Sequence, residues 1–287
     1  MDDTERWEIE FKAKRDPVMQ DLTTRGRVQE IIALIGASSA GGGWSRGQKG
    51  KTLSMSLAAW KDSAGVMHKG ELVLMQDYPE EEVEEMEGVR DSIGAYSIFR
   101  MQVSIPDEKP ADPEDYYRGL ILEVRGECED SDLENYANEL QTPVVLKIKK
   151  LGTFTLDRSV NWYSSSTTTW MKKKVRLNLS LNGEDDLTPA LDVAQALWAD
   201  QEKWNTTILD YLATEMVELA NDWVQEEDEE QTITEECLRS RVTLESISID
   251  SDGSFEFWYE DDNIFGGHAI QVCCDLKDGP NHASIQG

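Results

Sequence analysis

The sequence predicts an α+β protein with mainly antiparallel sheets and a long helical segment packed on the sheet of its C-terminal half. Runs in which apolar and polar residues alternate with a period of two recur in both halves, which is typical of strands with one buried face. One long stretch, residues 187–223, instead spaces its apolar side chains at helical intervals. The order is strands, helices and strands again, which differs from the strict strand–helix alternation of a doubly wound fold.

In the N-terminal half, apolar alternation and turn residues define most of the elements. Pro79 is well placed to open a helix because a proline at the first helical position loses no hydrogen bond. The apolar run 26–36 ends at a Gly/Ser-rich stretch, 37–50, which we predict to be a loop. The other predicted elements are strands at 51–60, 69–76, 95–105, 116–127 and 142–152, an acidic helix at 77–89, and a helix at 131–140 capped by Ser131 or Asp132.

In the C-terminal half, the helical stretch is too long for one ordinary globular helix, and we place a break at residues 200–204. Phe255, Phe257 and Tyr259 share one face of a predicted hairpin strand and should pack the sheet against these helices. The other predicted elements are strands at 152–164, 170–186, 243–250, 254–261, 268–276 and 282–287, and a short helix at 232–241. We set the domain boundary between residues 150 and 151, which gives domains 1–150 and 151–287.

Charge limits the classes of partner. The chain has 57 acidic and 28 basic residues, a net charge of −29. Such a surface repels nucleic acids and anionic lipid and attracts basic proteins. The alternative is that the acidity serves only solubility. No apolar run approaches the ~18 residues that a membrane helix needs, the N-terminus does not look like a signal peptide, and the four cysteines suggest reduced thiols. We therefore expect a cytoplasmic protein that binds neither nucleic acid nor membrane.

The motifs of the sequence indicate no catalytic residue, no metal site and no cofactor. Gly50, Lys51 and Thr52 match the end of a phosphate-binding loop, but the required first glycine is Ser45, and a strand rather than a helix should follow. The stretch around Gly253 echoes a calcium loop, but Tyr259 stands where the bidentate glutamate belongs. The three histidines show no metal-ligating spacing.

Two acidic clusters are candidate docking surfaces for a basic protein. A solvated face is the alternative explanation, since carboxylates are abundant throughout the chain. A long-range field from such clusters would raise the rate of association with a cationic partner. The candidate partner-binding residues are Glu80, Glu81, Glu82, Glu84, Glu85, Glu226, Glu227 and Asp228.

The C-terminal half also carries a recurring set of motifs. They are Gly152-x-Phe154-x-Leu156-Asp157-Arg158, then Asn221-Asp222-Trp223, then Asp252-Gly253-x-Phe255-Glu256-Phe257-Trp258-Tyr259, and finally Phe265-x-Gly267-His268-x-Ile270-x-Val272. With these motifs it resembles an uncharacterised bacterial family of domains of unknown function, and the first half resembles the domain that accompanies it. One departure is Gly266, where we expect tryptophan, which puts in doubt a ligand contact by an aromatic ring there.

The resemblance implies no known activity. Its signature residues are expected to be structural: Trp223, Trp258, Phe265, Gly267 and His268. Acidic α+β families of similar appearance occur among the immunity proteins of bacterial toxin systems, and this analogy rests on family likeness alone.

The charge and the motifs leave three possible functions. The first is a non-enzymatic interaction protein, in its most specific form an immunity-type protein that blocks a basic toxin or effector. The second is an enzyme or small-ligand binder centred on His268, with Glu256 and either Asp261 or Asp262. A structural or regulatory domain is the third possibility.

Overall fold

The chain forms two compact units, Met1–Thr142 and Pro143–Gly287. The computed structural model describes residues 20, 22–43, 50–109, 117–181, 186–225 and 232–287. Each unit has its own hydrophobic core. The strand Val145–Ile148, which we assigned to the N-terminal half, pairs with Gly152–Asp157 in the sheet of the second unit.

The N-terminal unit is a closed five-stranded barrel with the neighbour order β1-β2-β3-β5-β4. Its pairs are antiparallel except β3 with β5, which run parallel. Its elements are β1 (Gly26–Gly43), β2 (Gly50–Lys61), β3 (Met67–Pro79), a 3-10 turn (Glu80–Glu82), α1 (Val83–Ser92), β4 (Ile98–Pro106), β5 (Tyr117–Glu127) and α2 (Ser131–Gln141). This strand order, with a helix between the third and fourth strands, is the topology of the OB-fold.

The predicted Gly/Ser loop is wrong for its first part, because β1 continues to Gly43 and pairs with β2 along this stretch. The register shifts between Ile35 and Ala40, and Ser39 adopts a positive φ of 57° there. Glycine also lets α1 lie close to the strand, since a Cβ on Gly42 would lie 3.3 Å from the sulfur of Met86. The glycines therefore belong to a strand that bends and that α1 covers closely.

The C-terminal unit is an eight-stranded sheet with the order β13-β12-β11-β10-β9-β8-β7-β6. Its only parallel pair among the described strands is β9 with β10, which three helices connect as a crossover. Its elements are β6 (Val145–Ile148), β7 (Gly152–Asp157), β8 (Trp162–Trp170), β9 (Lys173–Ser180), α3 (Thr188–Ala199), α4 (Gln201–Gln225), α5 (Glu235–Arg241), β10 (Thr243–Ile249), β11 (Phe255–Glu260), β12 (Ala269–Asp275) and β13 (Gly279–Gln286). The α+β prediction with a long helical segment is confirmed.

The helical segment breaks where the sequence predicted, because α3 ends at Ala199 and α4 begins at Gln201. The short helix α5 has Thr234 as its N-cap, and the Thr234 hydroxyl accepts from the Cys237 amide at 3.1 Å. The cap of α2 was predicted one or two residues late. It is Asp130, whose carboxylate accepts from the amides of Asp132 and Leu133, the second and third residues of that helix.

The predicted packing of β11 against the helices is confirmed. Phe255, Phe257 and Tyr259 are buried in the core of the unit. The Trp204 ring of α4 meets Phe255 edge to face at 5.5 Å between ring centroids. The alternate residues of β11, among them Trp258, are partly buried or exposed and lie on the opposite face of the sheet. No helix in the described part of the chain is both long enough and apolar enough to span a membrane.

Candidate functional site

The first predicted docking cluster lies on the 3-10 turn and the first turn of α1. We call the side chains of Glu80, Glu81, Glu82, Glu84 and Glu85 the acidic segment, and all five are exposed. Pro79 is the last residue of β3 and the N-cap of the 3-10 turn, so the helix predicted over 77–89 begins later, at Val83.

The acidic segment stands on a fixed support. Met86 is fully buried in the core of the barrel, and Lys51 on β2 holds Glu87 by an ion pair of 2.5 Å. The hydrogen bond from Lys51 lowers the pKa of Glu87. The backbone that presents the acidic segment is therefore anchored by β3 on its N-terminal side and by Met86 and Glu87 on its C-terminal side.

The carboxylates of the acidic segment make no ion pair with any residue in the described ranges. Their position at the start of α1 is favourable in itself, because the N-terminal end of a helix carries a partial positive charge. Burial raises the pKa of Tyr78, and the charges of Glu85 and Glu82 raise it further. The field of the acidic segment thus reaches a phenol in the barrel wall.

The second predicted cluster lies outside the described residues. Glu226, Glu227 and Asp228 follow the end of α4 at Gln225. Their use as a docking surface stays a prediction.

Three of the signature residues in the C-terminal unit form one aromatic cluster. The ring of Trp223 on α4 meets Phe265 at 5.8 Å and His268 at 5.5 Å, both edge to face. Gly266 and Gly267 have positive φ values of 68° and 87°, which suit glycine. A Cβ on Gly266 would lie 3.6 Å from the ring of Trp223. The indole of Trp223 therefore packs directly on the position at which we expected a tryptophan.

The carboxylates that we grouped with His268 have other structural partners. Asp261 is buried, and its carboxylate accepts from the amides of Asn263, Phe265 and Gly267 at 3.0, 2.6 and 3.2 Å. Its role is to hold the turn that leads to His268.

The remaining two carboxylates point elsewhere. Asp262 accepts from the guanidinium of Arg241 at 2.7 Å. Glu256 accepts from the indole of Trp258 at 3.0 Å, on the sheet face opposite the helices, whereas His268 contacts a helix residue. The structure therefore does not assemble Glu256, Asp262 and His268 into one site, and Trp258 lies apart from the other aromatic signature residues.

Two family models match the chain over most of its length. Residues 149–285 match the family described as uncharacterized protein conserved in bacteria (DUF2262), and residues 22–140 match a domain of unknown function (DUF7021). The chain joins a DUF7021 domain to a DUF2262 domain. The resemblance inferred from the motifs is thereby confirmed. A search of curated proteins finds no match for this chain.

The open face of the DUF2262 sheet places a cysteine between a histidine and a glutamate. Cys273 is the register partner of Glu256 on one side and of His282 on the other. Burial raises the pKa of the Cys273 thiol, and the charge of Glu256 adds to the effect. The thiol is thus held in its protonated form, which is the unreactive one. Among the described residues, no group of three or more potential ligands could hold a metal ion.

The DUF7021 barrel has a concave polar site that we did not predict. It lies at the end where β1 begins and β2 ends, and its residues come from separate strands. The residues lining it are Arg27, Gln29, Trp60, Asp62, His68, Lys69, Gly70, Pro106, Asp107, Lys109 and Tyr117. A sequence signal existed in β1, where the inward-facing row Arg27, Gln29, Ile31 changes from polar to apolar.

Proposed function

We propose that this chain is a non-enzymatic interaction module that binds a basic protein through the acidic segment of its DUF7021 domain. The observation that carries the proposal is the exposure of five neighbouring carboxylates that have no ion-pair partner among the described residues. A surface of this kind gains favourable contacts when cationic side chains approach it, and it has no internal pair to break first.

The anchoring of the segment supports the same function. Met86 and the Lys51–Glu87 pair fix the helix on the barrel, so little backbone order has to be gained on binding. The net charge of −29 would add a long-range attraction for a basic partner. The most specific form of the proposal is an immunity-type protein that neutralises a basic toxin or effector, which rests on analogy.

The alternative, a catalytic or ligand site centred on His268, has less support than the acidic segment. The His268 imidazole packs on Trp223, and the carboxylates grouped with it cap a turn, pair with Arg241 or lie on the other side of the sheet. Each of these side chains therefore has a structural contact of its own.

The test is affinity capture by the full chain from a lysate of its host, at two salt concentrations. A binding interface built on charge should capture a basic protein at about 50 mM salt and lose most of it at about 500 mM, where the Debye length is only a few ångströms. The absence of any basic partner at low salt would contradict the proposal.

A matched pair of variants separates the acidic segment from bulk charge. In the first variant, all five glutamates of the acidic segment become glutamine. In the second, five exposed glutamates elsewhere become glutamine: Glu134, Glu139, Glu202, Glu215 and Glu218. Both variants have the same net charge, so only the first should lose the partner. Equal loss in both would show that overall acidity, and not this surface, is responsible.

A further inference from the structure

The mouth of the DUF7021 barrel is a cavity of about 430 Å3, opposite the end that α1 covers. The strands β1, β3 and β5 each begin at this end, and β2 and β4 each end there. Deeper in the barrel, the inward positions are apolar, as at Ile31 and Leu72. At the mouth, the inward positions become Arg27, Gln29 and His68. The mouths of β-barrels are common places for small-molecule sites, and this volume falls in their usual range.

The mouth places one arginine where a ligand can reach it. Among the described residues that line the mouth, Lys69 is also basic, but its ammonium lies over the ring of Tyr136, 3.9 Å from the ring centroid. The guanidinium of Arg27 is exposed and has no ion-pair partner in the described part of the chain. Arg27 therefore offers a positive charge to an anion that enters the mouth.

The mouth also contains a stacked pair of flat rings. The imidazole of His68 lies on the indole of Trp60, with 4.1 Å between centroids and 17° between planes. His68 Nε2 donates to Asp62 Oδ2 at 3.1 Å, and Asp62 Oδ1 accepts from the amides of Ala64 and Val66 at 2.9 Å. The hydrogen bond from His68 lowers the pKa of Asp62. The β2–β3 turn thus fixes the imidazole before any ligand arrives.

His68 remains available to a ligand despite this stacking. Its side chain is 41% exposed, whereas Trp60 beneath it is buried. On the β5 side, the phenol of Tyr117 donates to the carbonyl of Pro106 at 2.5 Å, and burial raises its pKa, so the ring is held as a neutral wall. A flat ligand can therefore lie on the imidazole with its charged group toward Arg27.

We propose that the barrel mouth binds a small anion that carries a flat ring, with Arg27 as its charge partner and His68 as its stacking partner. A nucleoside monophosphate is the simplest probe with both features. Polar residues at a barrel end could instead serve only to meet water. That explanation does not account for an imidazole fixed by both a carboxylate and an indole.

The test is isothermal titration calorimetry of the full chain with four probes. AMP carries ring and charge, inorganic phosphate carries charge alone, adenosine carries the ring alone, and a short single-stranded oligonucleotide carries many charges. We expect AMP to bind at least about tenfold more tightly than phosphate or adenosine, because it uses both contacts. No binding of AMP up to about 10 mM would overturn the proposal. Tighter binding of the oligonucleotide than of AMP would also overturn it.

Variants locate the site. Arg27→Gln should weaken AMP binding about tenfold or more, because a charge-assisted hydrogen bond is lost. His68→Ala should weaken AMP and leave inorganic phosphate nearly unchanged. The matched control is Arg100→Gln, because Arg100 on β4 is exposed and pairs with Glu30 instead of lining the mouth. Unfolding midpoints of all variants check that the barrel is intact. If Arg27→Gln binds AMP like the parent, or if Arg100→Gln is weakened as much, the site is not at the mouth.

Discussion

Replacing Asp261 with alanine removes the acceptor of three backbone amides at once. The amide of Phe265 donates at 2.6 Å in a buried setting, and those of Asn263 and Gly267 donate at 3.0 and 3.2 Å in partly buried ones. A buried donor left without a partner costs about 1–3 kcal/mol, and a partly buried one costs less because water can reach it. Alanine also removes the cost of keeping a charged carboxylate buried away from water, which offsets part of this loss. We expect a net loss of about 3 kcal/mol in the free energy of unfolding, a large share of a domain's stability.

Asparagine substitutions at neighbouring positions provide the control. Asp261→Asn keeps one acceptor oxygen but turns an amide group toward a donor, so it should cost about 2 kcal/mol. Asp262→Asn removes the same charge from a side chain that is 60% exposed and paired only with Arg241, so it should cost at most about 1 kcal/mol. Both residues sit in the same turn.

The assay is urea unfolding of the full chain, with hydrogen exchange to localise the effect. Because the chain has two units, a single transition cannot be assumed, and exchange at the amides of Phe265 and Gly267 reports on this turn directly. A loss of about 3 kcal/mol would speed their exchange roughly a hundredfold. If Asp261→Asn costs no more than Asp262→Asn, the carboxylate does not hold the turn.

Three further predictions follow from the packing and the titratable groups. Burial alone would raise the pKa of Asp130, but hydrogen bonds from Lys61 and from the amides of Leu133 and Asp132 leave it lowered; its contribution to stability is therefore present at neutral pH and fades below about pH 4. Asp130→Ala should lower stability at pH 7 by about 1–2 kcal/mol and flatten the acid limb of an unfolding-versus-pH curve; an unchanged acid limb would contradict this. Gly42→Val should cost about 1–3 kcal/mol by thermal unfolding, because a Cβ there already crowds Met86 and Arg90; a neutral result would show that α1 can shift freely. Burial raises the pKa of Cys274 strongly, so a thiol reagent at pH 8 should label it only after unfolding, and rapid labelling of the native chain would count against the packing.

The strands were predictable because their period-two patterns are local, but barrel closure was not. Closure depends on the pairing of β1 with β4 and of β3 with β5, which join residues far apart in the sequence. An open sheet and a closed barrel give the same local alternation. The end of β1 was also misassigned, because the glycines that let α1 approach have the composition of a loop.

The acidic segment and the barrel mouth of the DUF7021 domain differ in how far the sequence could predict them. The glutamates of the acidic segment are neighbours in the sequence and directly follow Pro79. Their position could therefore be predicted from composition. The barrel mouth draws Arg27, Trp60 and His68 from three strands, and each looks ordinary in its own segment. Only the strand register brings their side chains together.

A strongly acidic chain with an exposed arginine, Arg27, at its barrel mouth should discriminate anions by size. Charges separated by more than a Debye length, about 8 Å at physiological salt, are largely screened, so a small anion inside the mouth is governed mainly by the cations lining it. A nucleic-acid strand bound at the same place must run on across the outer surface, where acidic residues outnumber basic ones and repel each further phosphate. The same −29 net charge that favours a basic protein partner would thus restrict the mouth to small anions. Oligonucleotide binding should consequently weaken as the strand lengthens at low salt, whereas AMP binding should not depend on the presence of the acidic segment.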